Sequence, residues 1–433
     1  MSKKNFKKTN LFTILTKFLL IVLPFYVIIK VYFSEVIWFG FFGFFIKEFI
    51  VVLLFLSLVY EFYKSKKIPK FDLIDYLIFA FIFYWILISF LNHGGIKEII
   101  YWWRYDFLGF IVFLIFKHWK QFLKEKTKNL VKLFLLSASI SLFFGILVKF
   151  ILWEEFLSLF WYSIYVADFN FKGGIPIYQW VEASGIRRFQ GILDSPLAMW
   201  FFLIIFSSLF AWLNRKNLDF AFFVWIIILF SFIFLTYSRA AMLWVVVWIF
   251  LLFLLNFQIL FKKYRKTLIW IIAWIFIISF SLSFIFQDKL HNVFFRDGST
   301  NGHFTRMKVW VERFLEKPLW SWLASAWPAY RYIVKETSLE TDRKYIPESW
   351  FIQILVEGWI IYFLLYLAIT WNILFNLYKN KHNYILAMFI WVLVMSVFLH
   401  IFEYTYLTII LFLFLGIFYS PITLFYSSSK SKK

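Results

Sequence analysis

Arginine is placed in this sequence where a ligand's charge would be met. Arg187-Arg188-Phe189-Gln190-Gly191, followed by Asp194-Ser195-Pro196, sets two guanidinium groups beside a glycine and a proline that let the chain turn sharply. Thr236-Tyr237-Ser238-Arg239 lies between two apolar runs joined by almost nothing. Arg239 is therefore expected at or just below a membrane interface, where an arginine is costly unless paired. From His303 to Lys317, helical spacing puts Arg306, Trp310, Arg313 and Lys317 on one face and Phe304, Met307, Val311 and Phe314 on another. That is the pattern of an amphipathic helix on a membrane surface. Glu348, preceded by Pro347, stands at the mouth of the next apolar run, where a carboxylate can act as a general base or orient an arginine or a hydroxyl. Glu357 beside Gly358 has the position of a hydrogen-bond acceptor at a helix contact. A planar guanidinium fork suits phosphate and diphosphate oxygens, so the chemistry these groups suggest is recognition of an anion.

The elements that must position them are apolar. Hydrophobic residues make up 63% of 433, with 64 Phe and 23 Trp, and the mean hydropathy is +0.78. No soluble domain of this length buries that much apolar surface. Apolar runs of helix length recur from end to end without strand-like alternation, so the expected fold is an all-α polytopic membrane protein. It reads as a single integral membrane domain over residues 1–433, with one large polar loop at 287–349. Cysteine is absent, which excludes disulfides and thiolate metal sites. The net charge of +21 does not indicate nucleic acid, because the lysines sit in short loops beside the apolar runs. The first run follows Lys3, Lys4, Lys7 and Lys8, is too long for a signal-peptide core and lacks a small-residue cleavage site, so it is expected to stay.

About a dozen crossings of at least roughly 17–20 residues are expected. They fall near 11–33, 37–62, 72–91, 101–116, 133–152, 197–213, 220–236, 240–260, 267–286, 350–376, 384–400 and 405–421. The second contains Lys47-Glu48 and the fourth is short, so either is a candidate for a tilt or a break. Alternate loops carry lysine: Lys64 to Lys70, Lys117 to Lys132, Arg215-Lys216, Lys262 to Lys266, and Lys379 with Lys381. The positive-inside rule assigns these loops and both termini to the cytoplasm, and the loops at 153–196 and 287–349 to the outside. Arg104, Arg187, Arg188, Arg239, Arg296, Arg306, Arg313, Arg331 and Arg343 then lie outside or at external span ends, and only Arg215 and Arg265 inside. This sorting suggests an anionic ligand on the outer face. The alternative is that these arginines anchor span ends to lipid head groups or pair with the loop's acids.

There is no P-loop, HExxH, GxSxG or nucleotide-binding fingerprint. His93, His118, His291, His303, His382 and His400 show no metal-ligand spacing, and Glu154-Glu155 is weak as an acidic pair. No metal and no cofactor is expected, so a reaction here needs a substrate already activated and resident in the membrane.

These residues resemble the O-antigen polymerase and O-antigen ligase superfamily of bacterial envelope glycan enzymes. The resemblance rests on Arg188-x-x-Gly191 with Pro196 before one span and Ser238-Arg239 between the next two. It continues in Arg306, Trp310 and Pro318 of the large loop, then in Glu348-Ser349 and Glu357-Gly358 leading into the tenth span. It covers residues 185–420; the first half matches in hydropathy only. What the resemblance implies is a GT-C-like, metal-independent glycosyltransferase at the outer face of the cytoplasmic (inner) membrane. Its donor would be a polyprenyl-diphosphate-linked oligosaccharide, with membrane lipid around it and a chain-length regulator or flippase as a further partner. Arg187, Arg188, Arg239 and Arg306 would bind the diphosphate, Arg239 would also stabilise it as it leaves, and Glu348 would serve as base or orienter.

Ligases of this superfamily typically carry histidine where Glu348 stands, which favours the polymerase branch. Trp320-Ser321-Trp322 departs from the glycines usual after Pro318. The expected function is therefore polymerisation of an O-antigen-like polysaccharide by transfer onto another lipid-linked repeat unit. A ligase acting on a lipid or protein acceptor is the alternative within the class, and a lipid-linked oligosaccharide flippase or other transporter the alternative outside it. A transporter should carry ionisable groups near the bilayer midplane and related halves. Lys47, Lys149 and Glu357 are the deep candidates, and no internal repeat is apparent.

Overall fold

The structure, a computed structural model, describes residues 11–37, 40–66, 69–91, 103–120, 126–152, 155–160, 162, 180–181, 186–215, 228–229, 231–238, 297–316 and 349–420. Along these the chain forms α1 (Leu11–Val22), α2 (Tyr26–Glu35), α3 (Gly40–Ser65), α4 (Leu73–Leu91), α5 (Leu108–Trp119), α6 (Thr127–Leu147) and the short α7 (Glu155–Ser158). It continues with α8 (Pro196–Asn214), α9 (Asp297–Glu316), α10 (Trp350–Lys379), α11 (Asn383–Ser396) and α12 (Thr405–Phe418). Among the described residues, Leu11–Phe33, Thr127–Leu152, Pro196–Asn214 and Trp350–Lys379 are helical, long and apolar enough to cross a membrane. Among the described residues the fold is helical but for one short strand pair, and the chain is a multi-pass membrane protein. The crossings expected near 240–260 and 267–286 lie outside the described residues, as does most of 220–236. The strictly helical expectation needs one addition: β1 (Trp180–Val181) pairs antiparallel with β2 (Ile186–Arg187), Trp180 opposite Arg187.

The most apolar helix takes the centre. Every residue of α12 is buried, as expected of a helix apolar all round. It packs along α5 and against α8, with Phe110 and Phe113 of α5 set edge-on to Phe412 and Tyr419. Proline breaks the first crossing: Pro24 forces a 3₁₀ turn, Leu23–Phe25, between α1 and α2. Two serines of α6 meet carbonyls at that break. Ser137 donates to Ile21 at 2.8 Å and Ser141 to Pro24 at 3.0 Å, which repairs backbone polarity where no water is at hand.

The tenth expected span, 350–376, is not one continuous helix. Trp359 has φ 63° and ψ −177° inside α10, a conformation that favours glycine. In a straight helix Trp350 and Tyr366 would stand roughly 24 Å apart. Here both line one cavity, and the Phe351 and Tyr366 rings are 5.7 Å apart. The first turns, 350–358, therefore fold back on the leg that follows, and residues 360–379 retain about 30 Å of helix to cross the bilayer.

The surface helix α9 begins at Asp297, before the expected His303, and its packing face differs from both faces read from spacing. Trp310 is buried against Val356, with Phe314 and Ile352 beside it, while Phe304, Val311 and Leu315 are exposed. The bulky indole of Trp310 and the ring of Phe314, one turn apart, take the contact with α10.

One end of the bundle is fastened by lysines. Lys117 bonds Asp72 at 2.6 Å and also Asp75, and His118 contacts Asp75 at 2.8 Å. Lys120 donates to the Tyr419 carbonyl at 3.2 Å. Nearby His382, between α10 and α11, sits edge-on to Phe418. Burial first, then Lys120 and Arg215, hold its imidazole below the ordinary histidine range. Because the folded state binds this proton more weakly than the unfolded chain, stability is fully present above the unfolded pKa of about 6.5 and falls as pH drops below it. We expect the melting temperature of the detergent-solubilised protein to decline between about pH 7.5 and 5.5. The decline should be shallower in His382→Gln; parallel curves for the two proteins would contradict this.

Candidate functional site

At the opposite end, two of the arginine-bearing segments are joined. Gly191 adopts φ +59°, and a Cβ there would fall 2.4 Å from Met199 Cε. The same glycine lies so close to α6 that a Cβ on Gly145 would come within 2.8 Å of its Cα. This close approach seats the 187–191 loop on α6. Arg187 donates to the Val148 and Lys149 carbonyls at 2.9 and 2.8 Å, meeting the open end of the π turn Val148–Leu152, and Lys149 donates back to the Arg187 carbonyl. Arg188 Nε donates to the Thr236 carbonyl at 2.9 Å, and the Phe189 N–H donates to Leu235 at 2.8 Å. The loop and the turn that leads through Ser238 to Arg239 are thus one hydrogen-bonded seam. Tyr237, at φ 49°, makes the turn sharp, and the Thr236 hydroxyl closes it by donating to Ile233 at 2.7 Å.

Asp194-Ser195-Pro196 anchors this seam to the centre. Ser195 caps α8, accepting from the Ala198 N–H at 3.0 Å, and donates to the Tyr404 hydroxyl at 2.8 Å. Tyr406 donates to Asp194 Oδ1 at 2.9 Å. Burial raises the Asp194 carboxyl above the usual carboxylate range, while Lys30 and the Tyr406 hydrogen bond draw it back.

Beneath the seam lies a buried charge cluster. The Tyr406 ring stacks on Tyr26 at 5.4 Å, and Lys47 Nζ donates to the Tyr26 hydroxyl at 2.9 Å. Glu48 Oε1 is 2.7 Å from both Lys47 Nζ and Arg104 Nε. These are charge contacts whose angles depart from hydrogen-bond directions. Lys47, Glu48 and Arg104 are 1%, 3% and 4% exposed, so none of the three is a lipid-interface anchor. Arg104 is carried by a π turn, Trp103–Phe107, at the start of α5.

Of the residues expected to form a site, Arg187 and Arg188 are thus placed together beside the Thr236–Ser238 turn. Arg306 stands on α9, half-buried and over Gly302. Arg239 and Glu348 lie outside the described residues. Glu357 accepts from Gln353 Nε2 at 3.0 Å and is buried. Sequence reasoning missed the cluster of Tyr26, Lys47, Glu48 and Arg104. Its visible sign was a charge pair inside an apolar run, while the partner Arg104 belongs to a distant segment. Among the described residues no group of three or more histidine or acidic side chains is arranged to hold a metal. The chain matches no protein-family model and no curated protein.

Proposed function

We propose that the chain is a polysaccharide polymerase of the O-antigen type. It would transfer a polyprenyl-diphosphate-linked glycan onto another lipid-linked repeat unit at the outer face of the cytoplasmic membrane, with about twelve crossings and both termini inside. The observation that carries this reading is the seam that ties Arg188 to the turn preceding Arg239. Arg188 is bonded to the turn that precedes Arg239 in the chain, and two guanidinium groups brought near each other there would suit a diphosphate. They would bind it in the substrate and stabilise the charge it gains on leaving, with no further group required. Arg306 and Arg187 complete the proposed anion site, and Glu348 orients or deprotonates the acceptor.

A transporter is the second reading, favoured by the buried Lys47–Glu48–Arg104 cluster and by the broken helix α10, both features of translocation pathways. Arg188→Ala separates the two. On the polymerase reading it slows glycan transfer about 100-fold or more, while Arg188→Lys retains only part of the rate because the fork is lost. Unchanged chain length and transfer rate in Arg188→Ala would contradict the proposal.

A further inference from the structure

Three basic side chains from segments far apart in sequence meet at the lysine-bearing end of the bundle. Lys120 follows α5, Arg215 follows α8, and His382 lies between α10 and α11. All three border the end of α12. Lys120 Nζ donates to the Tyr419 carbonyl at 3.2 Å and to the Ser420 hydroxyl at 2.8 Å. The His382 ring is 5.3 Å from Phe418. The Arg215 guanidinium lies 4.4 Å over Trp212, whose ring is set edge-on to the same Phe418 at 4.8 Å. Lys120 and Arg215 both act on the His382 imidazole, so their charges reach one place.

Helix polarity accounts for part of this gathering, since α12 ends here with open carbonyls that favour a cation. A partial charge of about half an electron does not balance two full ones. Lys120 and Arg215 are exposed, and among the described residues neither lies within ion-pair distance of a carboxylate. Asp72 and Asp75, at the same end, are engaged by Lys117 and His118. Of the N–H donors of Arg215, Nη1 serves the Trp212 carbonyl at 2.8 Å, and the rest of the guanidinium fork faces outward. The level in the membrane follows from length. Helix α8 has 19 residues, about 28 Å of helix, close to the roughly 30 Å of a hydrocarbon core. Arg215 comes next in the chain and therefore stands among head groups. Trp212 and Tyr384 are beside it, aromatic groups of the kind enriched at that level.

We propose that this end of the bundle binds the phosphate head group of an anionic phospholipid, with Arg215 and Lys120 as its charged contacts beside His382. A phosphodiester supplies the negative charge that the cluster lacks, and its non-bridging oxygens accept from a guanidinium fork. The acyl chains of such a lipid lie along the apolar helices, a gain that a free phosphate ion does not have. The positive-inside rule assigns this site to the cytoplasmic leaflet, away from the arginine seam. Nothing in it depends on glycosyl transfer.

The full-length protein in a neutral detergent is titrated with dioleoylphosphatidylglycerol and, in parallel, with dioleoylphosphatidylcholine, and bound lipid is counted by native mass spectrometry. The anionic lipid should bind about tenfold more tightly or better. Arg215→Gln and Lys120→Gln should each weaken its binding about fivefold, the effect of one cation at a membrane surface, and the two together about 25-fold. Lys64→Gln removes the same charge from an exposed position at the same end and should change the affinity less than about twofold. Equal weakening in Lys64→Gln would reveal a diffuse surface potential in place of a site, and equal affinity for the two lipids would show that charge is not selected. Either result overturns the proposal. Displacement of the lipid by millimolar inorganic phosphate, beyond that caused by chloride at equal ionic strength, would assign the cations to a free anion and overturn it too. If Lys120→Gln does not fold for want of its bonds to Tyr419 and Ser420, Arg215→Gln decides alone.

Discussion

Glu48→Ala is expected to destabilise the folded bundle by about 3–5 kcal/mol, because it leaves two buried cations facing each other. Glu48 Oε1 is the shared neighbour of Lys47 and Arg104, 2.7 Å from each. The intact trio contributes little net stability, since taking three charges out of water offsets most of their attraction. Removing the only carboxylate in the trio is another matter, because repulsion replaces attraction in a medium of low dielectric. Glu48→Gln should be milder than Glu48→Ala, as the amide oxygen still accepts. The triple change Lys47→Met, Glu48→Leu, Arg104→Met should recover most of the loss, as apolar side chains of similar volume do elsewhere. Thermal melting in detergent reads all three. Glu48→Ala melting with the wild type would show that the cluster does not bear on stability.

Gly358→Val should cost about 1–3 kcal/mol by overpacking and straighten α10. A Cβ at this position falls 2.1 Å from Tyr362 Cδ1 and 2.5 Å from Tyr362 Cβ. Tyr362 has no room to yield, because its ring is stacked on Phe81 at 4.0 Å. The next residue, Trp359, already holds φ 63°, a strain of about 1–3 kcal/mol that the surrounding contacts must sustain. The absence of cysteine allows a direct test. The Phe351 and Phe363 rings are 6.1 Å apart, whereas a straight helix would separate these positions by roughly 18 Å. The pair Phe351→Cys and Phe363→Cys should therefore be bridged by a bifunctional thiol reagent too short to span the straight-helix separation, and adding Gly358→Val should abolish the cross-link. No cross-link in the otherwise unchanged protein would argue for a continuous helix.

Much of the helical layout was legible because its causes are local. Long apolar runs define α3, α4 and α6, Ser195-Pro196 marks the start of α8, and Glu357-Gly358 marks a place of close packing. Long-range pairing was harder to see. Lys47-Glu48 inside an apolar run signalled a disturbance, and it took Arg104 from another helix to turn that disturbance into a cluster. Arg104 itself read as an external span end, since nothing adjacent in sequence reveals which neighbour a guanidinium will meet. The bend in α10 was hidden for a different reason. Trp359 is neither proline nor glycine, and hydropathy continues unbroken through it, so only the packing of Tyr362 over Gly358 exposes the turn. In α9 the helix was readable, but its contact face was not, because a buried tryptophan outweighed the apolar stripe of Phe304 and Val311. At the candidate site, the two arginine motifs were each visible; that Arg188 and Phe189 bond to Thr236 and Leu235 depends on tertiary contact.

The central claim is that this chain joins glycans carried on a polyprenyl diphosphate. Its most direct test uses purified protein in detergent with a polyprenyl-diphosphate oligosaccharide, without nucleotide or added metal, read by gel and mass spectrometry. The predicted result is a ladder of lipid-linked glycans, lost in Arg239→Ala. No new glycan from the wild-type protein, together with movement of the intact lipid-linked oligosaccharide across liposomes, would contradict the account and identify a transporter.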